Sequence, residues 1–472
     1  MKVFMKRHIQ LILPTFLAVT ATITPVAAQA PRRMTYREAV TKAVDTGPQV
    51  QISSAGVEAS QARVSAASRQ RFPVLRVEGN IQYWNKPLDV VFVPTAPGTV
   101  MGMMEMMPMP GPALRVRNQI TSQVTVTLAQ PISGLFVLHQ LINLEEAGLG
   151  AARSDRSQAR LDTAQQASDA YLKLLQAEAL AEVAAKSVAQ MEAQVERSQI
   201  LERSGVMGQV DVLRLTSARD VAKQNQVQVR AGVEIARAAL VLALSLPPGT
   251  PVEVVDDFAD PPPPLQLNEA RATELALKQR PEMSGALQRA EQGRGGRAVA
   301  KAALLPNVMG LLSYQHTEGQ STFQPKNAWF VGGTLSWDIW DWGKNWNGVK
   351  EADARARQAE IAANSTRDQL AFDARRRVQE ARAAYELVGL SRSSLAAAEE
   401  AYRIQNVRYQ QGAATTTDVL DAEVGVTRAR ADYSKSRFDY YLAQAALARA
   451  AGQLPGETQT VNSKGATNAE TR

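Results

Sequence analysis

The sequence predicts a mainly α-helical chain that also carries transmembrane β-strands. Three observations predict it: one long unit occurs twice at a constant displacement, each copy contains an unbroken helical stretch of about 70 residues, and each contains paired segments of about ten residues that alternate apolar with polar.

The duplication is clearest at two turns. Gly205-Val206-Met207-Gly208-Gln209-Val210-Asp211-Val212-Leu213 returns as Gly412-Ala413-Ala414-Thr415-Thr416-Thr417-Asp418-Val419-Leu420. The displacement of 207 positions also carries Leu128-Ala129-Gln130-Pro131-Ile132 onto Leu335-Ser336-Trp337-Asp338-Ile339, and Ala243 onto Ala450. A constant offset over so long a span means equal helix lengths in both halves, as a tube requires.

Residues 1–28 read as a secretory signal peptide, with Lys2, Lys6 and Arg7, an apolar run over 11–19 and small residues at Val26-Ala27-Ala28. Pro14 and Pro25 interrupt it as a membrane anchor. No other stretch is long and apolar enough for a spanning helix, so the chain crosses a membrane only as strands closed into a barrel. The absence of cysteine excludes disulfides, thiolate metal sites and an acylated cysteine. The formal charge of +7 falls to about +4 without the signal, and the remaining charges mix both signs on helical faces. Nucleic-acid binding is thereby excluded as a reading, and Arg375-Arg376-Arg377 reads as a solvated helix face.

The first repeat covers 34–246. A short helix is followed by a second that opens on Pro48, a residue suited to a first turn because its missing N–H would be unbonded there. After Phe72-Pro73 the period changes to two. Leu75, Val77, Gly79, Ile81 and Tyr83 alternate with Arg76, Glu78, Asn80 and Gln82, which predicts a strand over 74–84 and, by the same pattern, another over 119–129. A long helix over 133–204 is about 105 Å long at 1.5 Å per residue. Its heptad seam runs through Ala167, Leu174, Ala181, Val188 and Val195, with Ala170, Ala177, Ala184 and Met191 three residues later. A return helix over 211–245 is too short to cover it; the helix before the strands, stacked end to end on the return helix, nearly makes up the difference.

A proline-rich linker over 247–264 joins the repeats and is expected to cross the outside of the column. The second repeat, 265–453, places strands at 307–316 and 329–337, a long helix at 341–411 and a return helix at 418–451; the polar tail 454–472 reads as disordered. Four strands cannot close a barrel, so subunits must share one.

On this duplicated order, on Gln130-Pro131-Ile132, and on Tyr409-x2-Gly412-x5-Asp418-Val419-Leu420-Asp421, the chain resembles the TolC family of outer-membrane efflux and secretion ducts over nearly all of residues 34–453. The resemblance implies a homotrimeric α/β barrel: twelve strands in the outer membrane of a Gram-negative bacterium and twelve helices across the periplasm. It implies passive conduction from an inner-membrane pump of RND, ABC or MFS type through a periplasmic adaptor, with no enzyme activity, cofactor, resident metal or lipid anchor. A soluble periplasmic coiled-coil adaptor is the alternative, and it leaves the strands unexplained.

By the same resemblance Asp418 and Asp421 ring the periplasmic entrance; three apart on a helix, they share a face. Asp418 also reads as a helix cap, with Thr417-Asp418 opening the helix. Asp211 and Arg214 are the first-repeat equivalents. Tyr409 and Asp211 match positions that hold a closed tip together, but the family's basic partner is Ala414 here, which leaves Arg203 or Arg214 as substitutes. Gly205 and Gly412 reverse the chain, and with Val206, Met207 and Ala413 they are expected to meet the adaptor.

Met101, Met103, Met104, Met106, Met107 and Met109 lie in an insert of the first strand pair. It reads as an apolar plug or trimer contact, with a soft-metal loop for Cu(I) or Ag(I) as the alternative. Gly293-x-Gly295-Gly296 does not follow a strand, so it is not a phosphate loop. His139 and His316 have no companion at ligand spacing, and no nucleophile–base arrangement is present.

Overall fold

The computed structural model describes residues 32–91, 113–320 and 325–455. The signal segment 1–28, the six methionines of the insert and the tail beyond Pro455 lie outside the described residues.

In chain order the first half contains β1 (Arg32–Met34), α1 (Tyr36–Thr46), α2 (Pro48–Arg69), β2 (Val74–Tyr83), β3 (Leu88–Val90), β4 (Leu114–Pro131), α3 (Gly134–Arg203) and α4 (Gln209–Ala243). Then follow β5 (Val252–Val254), α5 (Glu269–Gln279), α6 (Pro281–Ala302), β6 (Asn307–Gln320), β7 (Asn327–Ser336), α7 (Lys344–Gln410) and α8 (Thr416–Ala450). Local chemistry sets several starts. Thr35 and Glu38 form a capping box on α1, Asn268 accepts from the Arg271 N–H to cap α5, and Pro48 and Pro281 occupy the first turns of α2 and α6. No described helix is long and apolar enough to cross a membrane.

Four antiparallel strands lie in the order β2-β4-β6-β7, and β3 pairs with β4 beyond the end of β2. The register aligns the apolar faces of all four. Leu75 pairs with Leu128, Leu128 with Leu312, and Leu312 with Val331; the row Val77, Val126, Tyr314, Trp329 runs beside it. Thr127, Ser313, Gln123 and Thr317 belong to the opposite face, where Thr127 and Ser313 hydroxyls meet at 3.3 Å. Burial is inverted relative to a water-soluble sheet: Ser313 and Thr317 are 4% exposed, while Val77 is 64% and Val331 71% exposed. In water each such apolar side chain forfeits about 1.5–3 kcal/mol of burial, so this face is made for lipid.

The strands extend beyond the expected 119–129 and 307–316, because β4 continues along β3 and along the far end of β6. The four expected barrel strands are β2, β4, β6 and β7, and three further short strands accompany them: β3 beside β4, and two outside the sheet. A separate parallel pair, β1 with β5, aligns Arg32 with Val252 and Met34 with Val254.

That pair belongs to a strap formed by the linker. The Tyr171 hydroxyl on α3 lies 2.7 Å from the Val255 carbonyl and 3.0 Å from that of Met34. On α8, Arg437 binds both oxygens of Asp256 at 3.0 Å, and the Tyr440 and Tyr441 hydroxyls donate to the carbonyls of Pro263 and Ala259. Tyr36, Tyr171, Phe258, Phe438 and Tyr441 fill the largest core beneath it, with Tyr36 edge-on to Tyr171 and to Phe258 at 5.5 and 5.2 Å.

The columns stack as lengths demand. The Thr46 hydroxyl at the α1–α2 junction lies 3.3 Å from the carbonyl of Leu244, at the end of α4, so α2 continues the α4 column. In the other half, Gly452 past the end of α8 meets the α5–α6 junction so closely that a Cβ there would lie 2.8 Å from the Gln279 carbonyl carbon. Column α6–α8 thus lies between α3 and α7 along both of its parts. The glycines of α6 have a packing role: a Cβ at Gly293 would stand 3.1 Å from the Ala356 Cα, and one at Gly295 3.1 Å from the Leu144 Cβ. These positions let α6 approach α7 and α3 at backbone distance.

Candidate functional site

The candidate site is the end of the helical columns remote from the sheet, where α3 turns into α4 and α7 into α8. Both turns are made by a glycine in the left-handed region, Gly205 at φ +72° and Gly412 at φ +74°. The Val206 N–H returns to the Leu201 carbonyl at 3.0 Å, and the Ala413 N–H to the Arg408 carbonyl at 2.8 Å, so the last carbonyls of α3 and α7 are satisfied within the turns.

The two tips differ in how the next helix begins. Helix α4 starts from Gly208, which has no side chain to cap it. Helix α8 starts from Thr415, whose hydroxyl accepts from the Asp418 N–H at 3.2 Å while Asp418 Oδ2 accepts from the Thr415 N–H at 2.7 Å. The helix therefore opens at Thr415, and Asp418 is the third residue of a capping box; the expected opening at Thr417-Asp418 is displaced because starting at Thr415 lets both side chains satisfy a backbone N–H reciprocally. The bonds from the Thr415 backbone and hydroxyl, with the Arg408 guanidinium nearby, hold the Asp418 carboxyl below its ordinary range.

Asp418 and Asp421 are both exposed. Asp211 is half-buried, and its carboxylate lies 3.8 Å from Arg214 of the same helix. Within one chain Asp211 does not meet Tyr409, whose buried hydroxyl makes no hydrogen bond among the described residues. The basic residue that reaches the second tip is Arg408, which donates to the Ala413 carbonyl at 3.3 Å. Among the exposed apolar residues at the first tip are Val206, Val210 and Leu213; Met207 is half-buried, and Gly412 and Ala413 are exposed.

Just above the second tip lies a carboxylate that the motifs did not mark. Glu423 is 2% exposed, on the stripe of α8 that buries Val419 and Val426. Its neighbours are polar: Thr427 donates to its Oε1 at 3.3 Å and to the Ser187 hydroxyl of α3 at 3.3 Å in alternative orientations, and the Tyr402 hydroxyl of α7 lies beside it. A glutamate at the i+4 position between two buried valines was the signal available in the sequence.

A family model described as "Outer membrane efflux protein" matches residues 39–245 and 272–453. Comparison with curated protein sequences finds no match. Among solved structures, the chain is similar to the outer-membrane channel OprN, with a TM-score of 0.74 and 19% identity over 88% of this chain and 89% of that one. It is similar to the outer membrane protein VceC of Vibrio cholerae, with a TM-score of 0.72 and 18% identity over 89% and 96% of the two chains. The CmeC outer membrane channel of Campylobacter jejuni gives a TM-score of 0.73 at 15% identity over 91% and 88%.

Proposed function

Because the chain belongs to the outer membrane efflux protein family, we propose that it works as the exit duct of a tripartite efflux pump or type I secretion system, conducting substrates passively from an inner-membrane transporter and a periplasmic adaptor to the outside. The observation that carries this reading is the inverted sheet, apolar outward and polar inward, joined directly to helical columns of 70 and 67 residues.

A single chain leaves both β2 and β7 with an unpaired edge. Three copies joined edge to edge supply twelve strands and close the wall, which removes every exposed edge from the hydrocarbon. The same three-fold arrangement sets the α4 column of one copy against α7 of the next. Apolar residues left open on those helices, Val221, Ile235 and Leu242 on α4 and Ile361, Phe372 and Leu387 on α7, support that seam.

In the trimer Asp418 and Asp421 contribute six carboxylates at the periplasmic entrance. Such a ring favours cations and raises the barrier to anions. Asp211 with Arg214, and Tyr409 across the neighbouring hairpin, hold the closed tip, while the exposed turns at Gly205, Val206, Met207, Gly412 and Ala413 receive the adaptor. Residues 1–28 direct export and are removed; no acyl chain is needed to hold the protein in the membrane.

The test is fractionation and planar-bilayer recording of the full-length protein. The expected result is outer-membrane partitioning, a detergent-stable trimer and a cation-preferring conductance whose reversal potential moves toward zero in Asp421→Asn. A monomer soluble in plain buffer, without conductance, overturns the duct; a trimeric channel with an unmoved reversal potential overturns only the carboxylate ring.

A further inference from the structure

Helix α8 is held in two contrasting ways along its length. Its upper part is clamped by the strap, through Arg437, Tyr440 and Tyr441 and a hydrogen bond from Tyr433 to Asp260, over the aromatic core. Below Tyr433 polar side chains enter the packing against α3 and α7, among buried residues such as Val419, Val426 and Met191. Gln194 is 7% exposed and donates to Asn406 at 3.4 Å; Ser187, Tyr402 and Thr427 surround Glu423. This seam is only partly satisfied: Glu423 Oε2, Gln190 Oε1 and Gln405 Oε1 are buried and find no donor among the described residues. A buried polar network with open acceptors is a weak joint, in contrast to the apolar core above it.

From this placement we infer that Glu423 is a proton-operated latch that fastens the lower part of α8 to α3 and α7 when neutral and releases it when ionised. The inference rests on the duct reading for its consequence, opening of the entrance, but not for the movement itself. A neutral carboxyl gains a donor and carries no charge into the seam, whereas a carboxylate places a charge where the protein supplies little to solvate it.

The charged and titratable groups facing the site are few. From α7 come Tyr402 and Glu399, the latter 3.0 Å from Arg430; α3 contributes Arg197, beside Tyr402; and α8 itself contributes Arg430, the cation whose field favours the carboxylate. Burial raises the Glu423 carboxyl above its ordinary range, against the bonds from Tyr402 and Thr427 and against Arg430. The sign follows. The packed joint binds the proton more tightly than the parted one, so the joint is firm in acid and loses stability as pH rises from the ordinary glutamate value through the raised one.

The chain has no cysteine, so two introduced cysteines are the only spin-label sites. Nitroxides at Glu196→Cys on α3 and Arg428→Cys on α8, in full-length trimers diluted with unlabelled chain, report the α3–α8 separation from pH 4 to 8. The expected result is a longer-distance population that grows with pH in the parent, is absent at every pH in Glu423→Gln, and appears at higher pH in Tyr402→Phe, which removes a bond to the carboxylate. A parent distribution that does not change with pH, or a Glu423→Gln variant that titrates like the parent, overturns the latch. Conductance measured on the same samples separates the two ideas: a titrating separation without conductance refutes the duct and leaves the latch, while a conducting trimer without titrating separation does the reverse.

Discussion

Thr415 and Asp418 cap each other: each backbone N–H is bonded by the other's side chain, at 2.7 and 3.2 Å. The pair fixes where α8 begins, directly beside Gly412, and so sets the orientation of both tip carboxylates.

Thr415→Ala removes one side of this box and costs about 1 kcal/mol of local helix stability. Amide hydrogen exchange in the first turn of α8 is expected to accelerate roughly fivefold. The same turn loosens in acid. Because the Asp418 carboxyl titrates below its ordinary value, its contribution is complete above that value and is lost as pH falls through the lowered one. Exchange corrected for intrinsic rates, measured downward from pH 5, checks the direction.

Asp373→Ala is expected to destabilise the upper columns by on the order of 1–3 kcal/mol, since it leaves a buried guanidinium short of a partner. Arg280 is 6% exposed and donates to Asp373 at 2.7 Å and to Glu282 at 2.8 Å, where Arg449 also binds. Burial alone would raise the Asp373 carboxyl, but the bonds from Arg376 and Arg280 outweigh it and hold it low, so this joint also weakens only in acid. Denaturant melts of the detergent-solubilised protein at pH 7 and well below the ordinary aspartate range test both statements.

Gly293→Leu drives α6 away from α7, because even a Cβ there meets the Ala356 backbone at 3.1 Å. An overpacking cost of about 1–3 kcal/mol is expected. Gly56→Ala, on α2 where a Cβ meets nothing within 4 Å, is the control and gains up to about 1 kcal/mol from helix propensity. Denaturant midpoints of the two variants are expected to move in opposite directions.

Val331→Arg places a charge on the lipid-facing row of β7 and costs up to about 2–4 kcal/mol. Thr125→Lys, on the opposite face of β4, is tolerated. Folding yield into liposomes, read by the gel-mobility shift of the folded barrel, is expected to fall for the first variant and hold for the second.

Much of the architecture was legible in the chain. Two helices of about 70 residues and the period-two segments follow from local rules, because helix and strand periodicities depend on nearest neighbours along the sequence. The tips were legible for the same reason: a glycine followed six residues later by Asp-Val, at both tips, marks a reversal and a new helix start. The role of Arg408 was not, since its place at the second tip depends on a turn that folds the chain back onto the residue before it. Glu423 was missed although its place on the stripe between Val419 and Val426 was a signal, because one glutamate in such a stripe becomes costly only when α3 and α7 close on either side of it.

By itself, then, the sequence determined the repeat, the lengths of its helices and which side of each strand is apolar. Tertiary structure decided the rest: the register that joins Leu75, Leu128, Leu312 and Val331 into one lipid-facing row, the strap that binds the linker to α8, and the burial of Glu423 between α3 and α7. The physical reason is range. Periodicity is set by backbone geometry within a few residues, whereas register, stacking and burial are set by which surfaces meet across hundreds of positions.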